Sequence, residues 1–184
     1  PVYSFWLPLL VLVSLTLVTQ LVSVSFTSDK DFLDIFLPSA IALLLISAPL
    51  AASGLLLGPK IGLGAPLLTA LLTRSPGALR GVVKVTGLAA GIGLSLGLFL
   101  WLLRLATVDS LPPELPELGH RGAIGGLLVS VGAAIGEEVW LRLGVMTILA
   151  WVLVRALGQR HLTPEIAWVA IVISALIFGA IHLP

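Results

Sequence analysis

Five long stretches of the chain carry apolar residues almost without interruption: 4–26, 32–57, 82–105, 122–157 and 166–183. A helix needs about 20 such residues to cross the hydrocarbon core of a bilayer. The stretches meet or approach that length, so each is expected to be a membrane span. A sixth run, 61–72, is too short to cross; it carries two glycines and Pro66 and reads as re-entrant or interfacial. Within 82–105 the small residues Gly87, Gly91, Ser95 and Gly97 suit close helix packing. The fold class is all-α, a polytopic transmembrane helical bundle. It is read as a single membrane domain over 1–184, with N-terminal transmembrane helices in 1–121 and the chemistry-bearing core in 122–184.

Composition agrees. Only 10% of the 184 residues are charged and 58% are apolar, and the mean hydropathy is +1.15. Soluble domains carry about a quarter charged residues. The chain is therefore expected to be an integral, multi-pass protein of the cell membrane, with membrane lipid as a constant partner. Its net charge of +1 offers no handle for nucleic acid. There is no cysteine, which removes disulfides, thiolate nucleophiles and thiolate metal sites together. There is no asparagine either. The first run is too long for a signal peptide and lacks a basic leader. A start at Pro1 and a stop just after an apolar run lead to the expectation of a fragment of a longer protein.

Loop charge gives an orientation. Lys60, Arg74, Arg80 and Lys84 in one segment, and Arg155 and Arg160 in another, read as cytoplasmic. The loop of 108–119, with Asp109, Glu114 and Glu117, reads as the opposite side, although Arg104 and Arg121 flank it. That count is consistent if 122–157 crosses the membrane once.

The chemistry concentrates in "GEEVWLR", residues 136–142, inside a run otherwise fit for lipid. Each charge at mid-membrane costs about 2.5–3.5 kcal/mol, whereas an apolar residue recovers only about 0.3–0.6. Such a cost is tolerated where side chains face a bundle interior or a water-filled cavity. Glu138 and Arg142 stand at i and i+4 and can pair on one face. Glu137 is turned about 100° away. It has no base one turn off, since Ala133 and Leu141 occupy those positions. Glu138 thus reads as the structural acid and Glu137 as the working one, a general base. The bland alternative is a satisfied polar network that only fixes packing; two acids with one base leave a carboxylate over, which favours chemistry.

His182 is the ionisable group at the end of the last run, with Phe178 one turn before it. Residues 137–157 and 164–182 have nearly equal lengths. A hairpin turning at "GQRHLTP" would return His182 to the depth of Glu137. That match implies a break near Gly136, with 122–135 as a short separate element, against the single-crossing count.

Glu137-Glu138-x-x-x-Arg142 resembles the EExxxR motif, and Phe178-x-x-x-His182 the FxxxH motif, of the CAAX-protease and bacteriocin-processing family of intramembrane endopeptidases. The resemblance covers 122–184. It implies that Glu137, Glu138 and His182 form the catalytic group, with Glu137 and His182 activating a water for attack on a peptide carbonyl. Arg142 and Phe178 would support them. The substrate class it implies is a membrane-associated protein or peptide. It also implies either no cofactor or a divalent metal such as zinc; if a metal is used, Glu137 and His182 would bind it. The family's third motif, His followed four residues later by Asn or Asp, is not found: His120 is followed by Ile124 and His161 by Glu165. HExxH, GxGD and a rhomboid-type serine setting are absent as well. Two alternatives remain on the residues alone. A proton-coupled transporter would use Glu137 and His182 as a relay, and a non-catalytic relative would act in immunity or as a scaffold.

Overall fold

The computed structural model describes residues 5–28, 31–110 and 121–183, and these are helical with no strand among them. The chain is an integral membrane protein built as an all-α bundle. Its helices are α1 (Trp6–Val24), α2 (Phe32–Leu57), a 3-10 turn at Gly58–Ile61, α3 (Pro66–Leu72), α4 (Ala78–Ala106), α5 (Gly122–Glu137), a π-helical segment (Glu138–Met146), α6 (Thr147–Ala156) and α7 (Pro164–Ile181). Five helical stretches are long and apolar enough to cross a membrane: Trp6–Val24, Phe32–Ile61, Ala78–Ala106, Gly122–Ala156 and Pro164–Ile181. Their outer faces are apolar. Trp6, Leu33, Leu94, Ile124 and Leu176 are 68% to 86% exposed, an apolar surface that fits lipid contact and not water. Glu114 and Glu117, in the loop read as the acidic side, and His120 after it lie outside the described residues.

The described residues fall into two compact units, one from 1–65 with 121–184 and the other from 66–120. The smaller unit holds α3 and α4, with Leu67 of α3 against Gly81 of α4. Inside that unit the small-residue stripe of α4 finds no helix: a Cβ added at Gly87, Gly91 or Gly97 would meet no described atom within 4 Å. Ser95 turns its hydroxyl onto the carbonyl of Gly91 in its own helix, 2.9 Å away.

The larger unit is held by close backbone approach. On α5, a Cβ at Gly132 would lie 2.8 Å from Ser23 Cβ and 2.9 Å from the Thr19 carbonyl oxygen of α1. Gly144 meets Leu50 of α2 in the same way, its added Cβ 2.8 Å from Leu50 Cβ. Small residues let helices approach where no hydrophobic effect drives them together. Polar groups add direction: Gln20 Nε2 donates to the Gly132 carbonyl at 2.9 Å, and Trp140 Nε1 donates to Ser47 Oγ at 2.8 Å. Ser47 and Ala51 are fully buried, and Val13, Ala51 and Val139 form a core under Trp140.

A second core joins Ile61, Ala150, Val154, Ile166 and Ala170. Ile61 belongs to the turn after α2, and its carbonyl accepts from Leu162 N at 3.2 Å. Lys60 and the segment 155–161 are thereby gathered at one end of this unit. The run 61–72 is resolved into the end of that turn, a loop with Gly62 and Gly64 at φ of 86° and 140°, and α3. α7 starts cleanly: Thr163 caps it by accepting from Ile166 N, and Pro164 occupies the first turn, where its missing N–H costs nothing.

The expected break near Gly136 is absent. Residues 122–156 form one uninterrupted helical stretch of 35 residues, with Glu137 at φ −63°, ψ −40° and Glu138 at φ −62°, ψ −41°. The helix widens at Glu138 instead of breaking. A π turn absorbs an additional residue while keeping the backbone hydrogen-bonded, which a break in hydrocarbon would not. The continuous helix is what the single-crossing count requires, and it removes the break on which the depth match relied.

Gly132→Val is expected to destabilise the protein by about 1–3 kcal/mol, as overpacking does, while Gly126→Val, which would meet nothing within 4 Å, changes little. Thermal unfolding in detergent measures both.

Candidate active site

The packing just described fixes which way the charged residues point. Gly132, Gly136, Val139, Trp140 and Gly144 face α1 and α2. Glu137, Glu138, Leu141 and Arg142 are left on the other side, towards α7. There they line a cavity of about 440 Å³ with Met146 and with Ile171, Ser174, Ala175 and Phe178 of α7. The lining is mostly apolar, and its charged groups are the two carboxylates and the guanidinium.

Glu138 and Arg142 form the expected i, i+4 pair, Arg142 Nη2 lying 3.3 Å from Glu138 Oε1. The pair is not buried by protein: the side chains are 57% and 70% exposed. Both also line a second cavity of about 400 Å³ on the other side of the pair, bounded by Leu12, Leu63, Val139 and Thr147. The pair thus forms a polar wall between two chambers. Glu137 is half-buried and lines the first chamber only.

His182 does not line the cavity. It caps α7 at the helix end, is exposed, and its Nδ1 lies 2.9 Å from the Phe178 carbonyl oxygen. A carbonyl can only accept, so Nδ1 donates to it and Nε2 is left for other partners. The ring lies against Phe178, centroids 4.4 Å apart and planes tilted by 54°. Ser174 sits beside Leu141, its Oγ 3.5 Å from that carbonyl oxygen. Along antiparallel helices this sets Phe178 level with Glu137 and His182 about one helical turn beyond. The equal-depth expectation for Glu137 and His182 is corrected by that turn. It failed because residue counts along the two arms do not fix the register in which they pack, which the contact between Ser174 and Leu141 sets.

The structure therefore gathers Glu137, Glu138, Arg142 and Phe178 around one cavity, with His182 joined to it through Phe178. Sequence reasoning missed Ser174, Leu141, Met146 and Ile171 in the lining and Gln20, Ser47 and Trp140 behind it. Ser174 was findable: it stands four residues before Phe178 and eight before His182, on the same face. Gln20 was findable as an amide within an apolar run. Among the described residues no three His, Asp or Glu side chains converge to hold a metal. A zinc site wants three protein ligands, so Glu137 and His182 do not by themselves fit a metal centre, and the metalloprotease reading is not supported.

Residues 120–184 match the family model of the type II CAAX prenyl endopeptidase Rce1-like proteins. Over this segment the chain is similar to the CAAX protease family. The matched stretch contains both motif-bearing helices and the cavity lining between them. No curated protein and no solved structure gave a significant match. The family is one of proteases, whose substrates are proteins or peptides.

Removing one partner of the ion pair leaves an uncompensated charge in an apolar setting. Arg142→Leu is expected to lower the yield of monodisperse protein several-fold. The double variant Glu138→Leu/Arg142→Leu recovers most of it. Size-exclusion chromatography of matched preparations decides this, and a single variant as well behaved as wild type would contradict it.

Proposed function

We propose that the protein is an intramembrane endopeptidase that hydrolyses a peptide bond of a membrane-associated protein or peptide, with Glu137 as the general base. The observation that carries this reading is the unequal state of the two carboxylates. Glu138 is engaged by Arg142, while Glu137 opens into the cavity with no base paired to it among the described residues. A base must be free to accept a proton and must reach the water that gives it up. A cavity of about 440 Å³ has room for a peptide segment and for water, each water needing roughly 30 Å³.

In this reading a water between Glu137 and the substrate carbonyl loses its proton to the carboxylate as its oxygen attacks. The carboxyl group then returns the proton to the leaving amine, so that one water is consumed and two peptide ends are formed. His182 works from the cavity mouth, where Phe178 holds the ring and Nε2 is free to take part in the proton movement. Glu138 and Arg142 hold the wall of the site, and Phe178 packs beside the substrate. The apolar remainder of the lining suits apolar side chains of the substrate.

Glu137→Gln keeps the shape of the side chain and removes the base. It is expected to lower cleavage of a reconstituted peptide substrate by on the order of 10²–10⁴-fold, with unchanged folding. His182→Ala is expected to lower it as well. Mass-spectrometric detection of products in proteoliposomes is the measurement, and full turnover by Glu137→Gln would refute the assignment.

A further inference from the structure

Hydroxyl groups on membrane helices commonly satisfy themselves on their own backbone. Here Thr16, Thr19, Ser95, Thr107 and Ser130 each donate to the carbonyl four residues earlier in the same helix, at 2.8–2.9 Å. Two hydroxyls near the active site behave differently. Thr147, at the end of the π segment, donates to the Arg142 carbonyl, five residues back, at 3.5 Å. That spacing is the period of the widened helix. Ser174, only 8% exposed, donates to another helix altogether, onto the Leu141 carbonyl at 3.5 Å. The two acceptors are consecutive carbonyls in the middle of the π segment, and the two donors come from its two sides.

We propose that Ser174 is a positioning residue for the hydrolytic reaction, its hydroxyl holding α7 in register with the widened segment that begins at Glu138, directly after Glu137. Ser174, Phe178 and His182 share one face of α7 at intervals of four residues. The position of Ser174 against Leu141 therefore sets where Phe178 and His182 stand against Glu137. A slip of α7 by one residue moves that face by about 100° and about 1.5 Å. At 3.5 Å the bond is long for a hydroxyl donor, so it directs the register more than it stabilises the fold. The inference rests on the endopeptidase reading for its kinetic consequence, but the register itself is independent of that reading.

The test compares Ser174→Ala, which loses the hydroxyl, with Ser174→Thr, which keeps it. The first readout is amide hydrogen exchange of residues 138–147 in detergent-solubilised protein. The second is kcat and KM on an internally quenched peptide of alanine and leucine residues. Ser174→Ala is expected to speed exchange across the π segment and to lower kcat about tenfold with KM little changed, since misplacement of reacting groups acts on the chemical step. Ser174→Thr is expected to restore both. Unchanged exchange in Ser174→Ala, wild-type kcat in Ser174→Ala, or equal losses in the two variants would each overturn the proposal. Faster exchange in Ser174→Ala, restored in Ser174→Thr, with no cleavage by wild type would uphold the register lock, and would remove the endopeptidase reading and with it the catalytic role of Ser174.

Discussion

Two carboxylates and a guanidinium stand in a helix whose other residues suit hydrocarbon, and the rest of the larger unit is arranged around that cost. Charge at membrane depth is kept only where it is paired or faces a cavity. Both conditions are met here: Arg142 takes up Glu138 at 3.3 Å, and Glu137 faces a chamber shared with α7. The division of labour follows from one turn of helix. Residues four apart can pair, and the residue next to a paired one cannot reach the same partner.

The helix can present this face only because its opposite face is held hard. Gly132 and Gly144 admit α1 and α2 to backbone distance. Trp140 and Gln20 place one hydrogen bond each at defined points along those contacts. With that side fixed, the widening at Glu138–Met146 directs Glu137, Glu138, Leu141 and Arg142 at α7 without opening the backbone to lipid. Thr147 and Ser174 then supply hydroxyls to two carbonyls of the widened turn. π segments occur often at functional sites, and here the segment begins at the second glutamate of the motif.

The spans were legible because length and hydropathy are local properties, and the i, i+4 pair was legible because it needs one helix only. The identity of the motif-bearing helices was legible from Glu137, Glu138, Arg142, Phe178 and His182 together. The level of His182 was not: it depends on the register in which α7 packs, which the contact of Ser174 with Leu141 sets and no local pattern signals. The stripe from Gly87 to Gly97 read as a packing face, yet within its own unit no helix lies against it. Small residues permit close approach but do not name the partner. Ser174 went unread because a serine in an apolar run satisfies itself by default, and only the contact with Leu141 marks it out.

The central structural claim is that α7 packs with Phe178 level with Glu137 and His182 a turn beyond. The chain has no cysteine, so spin labels can be placed at chosen pairs without background. Distances would be measured by pulsed electron resonance in proteoliposomes for Glu137→Cys/Phe178→Cys and for Glu137→Cys/His182→Cys. The account predicts the shorter distance for the first pair. A shorter distance for the second would place His182 at the depth of Glu137, and would contradict the register on which the site has been built.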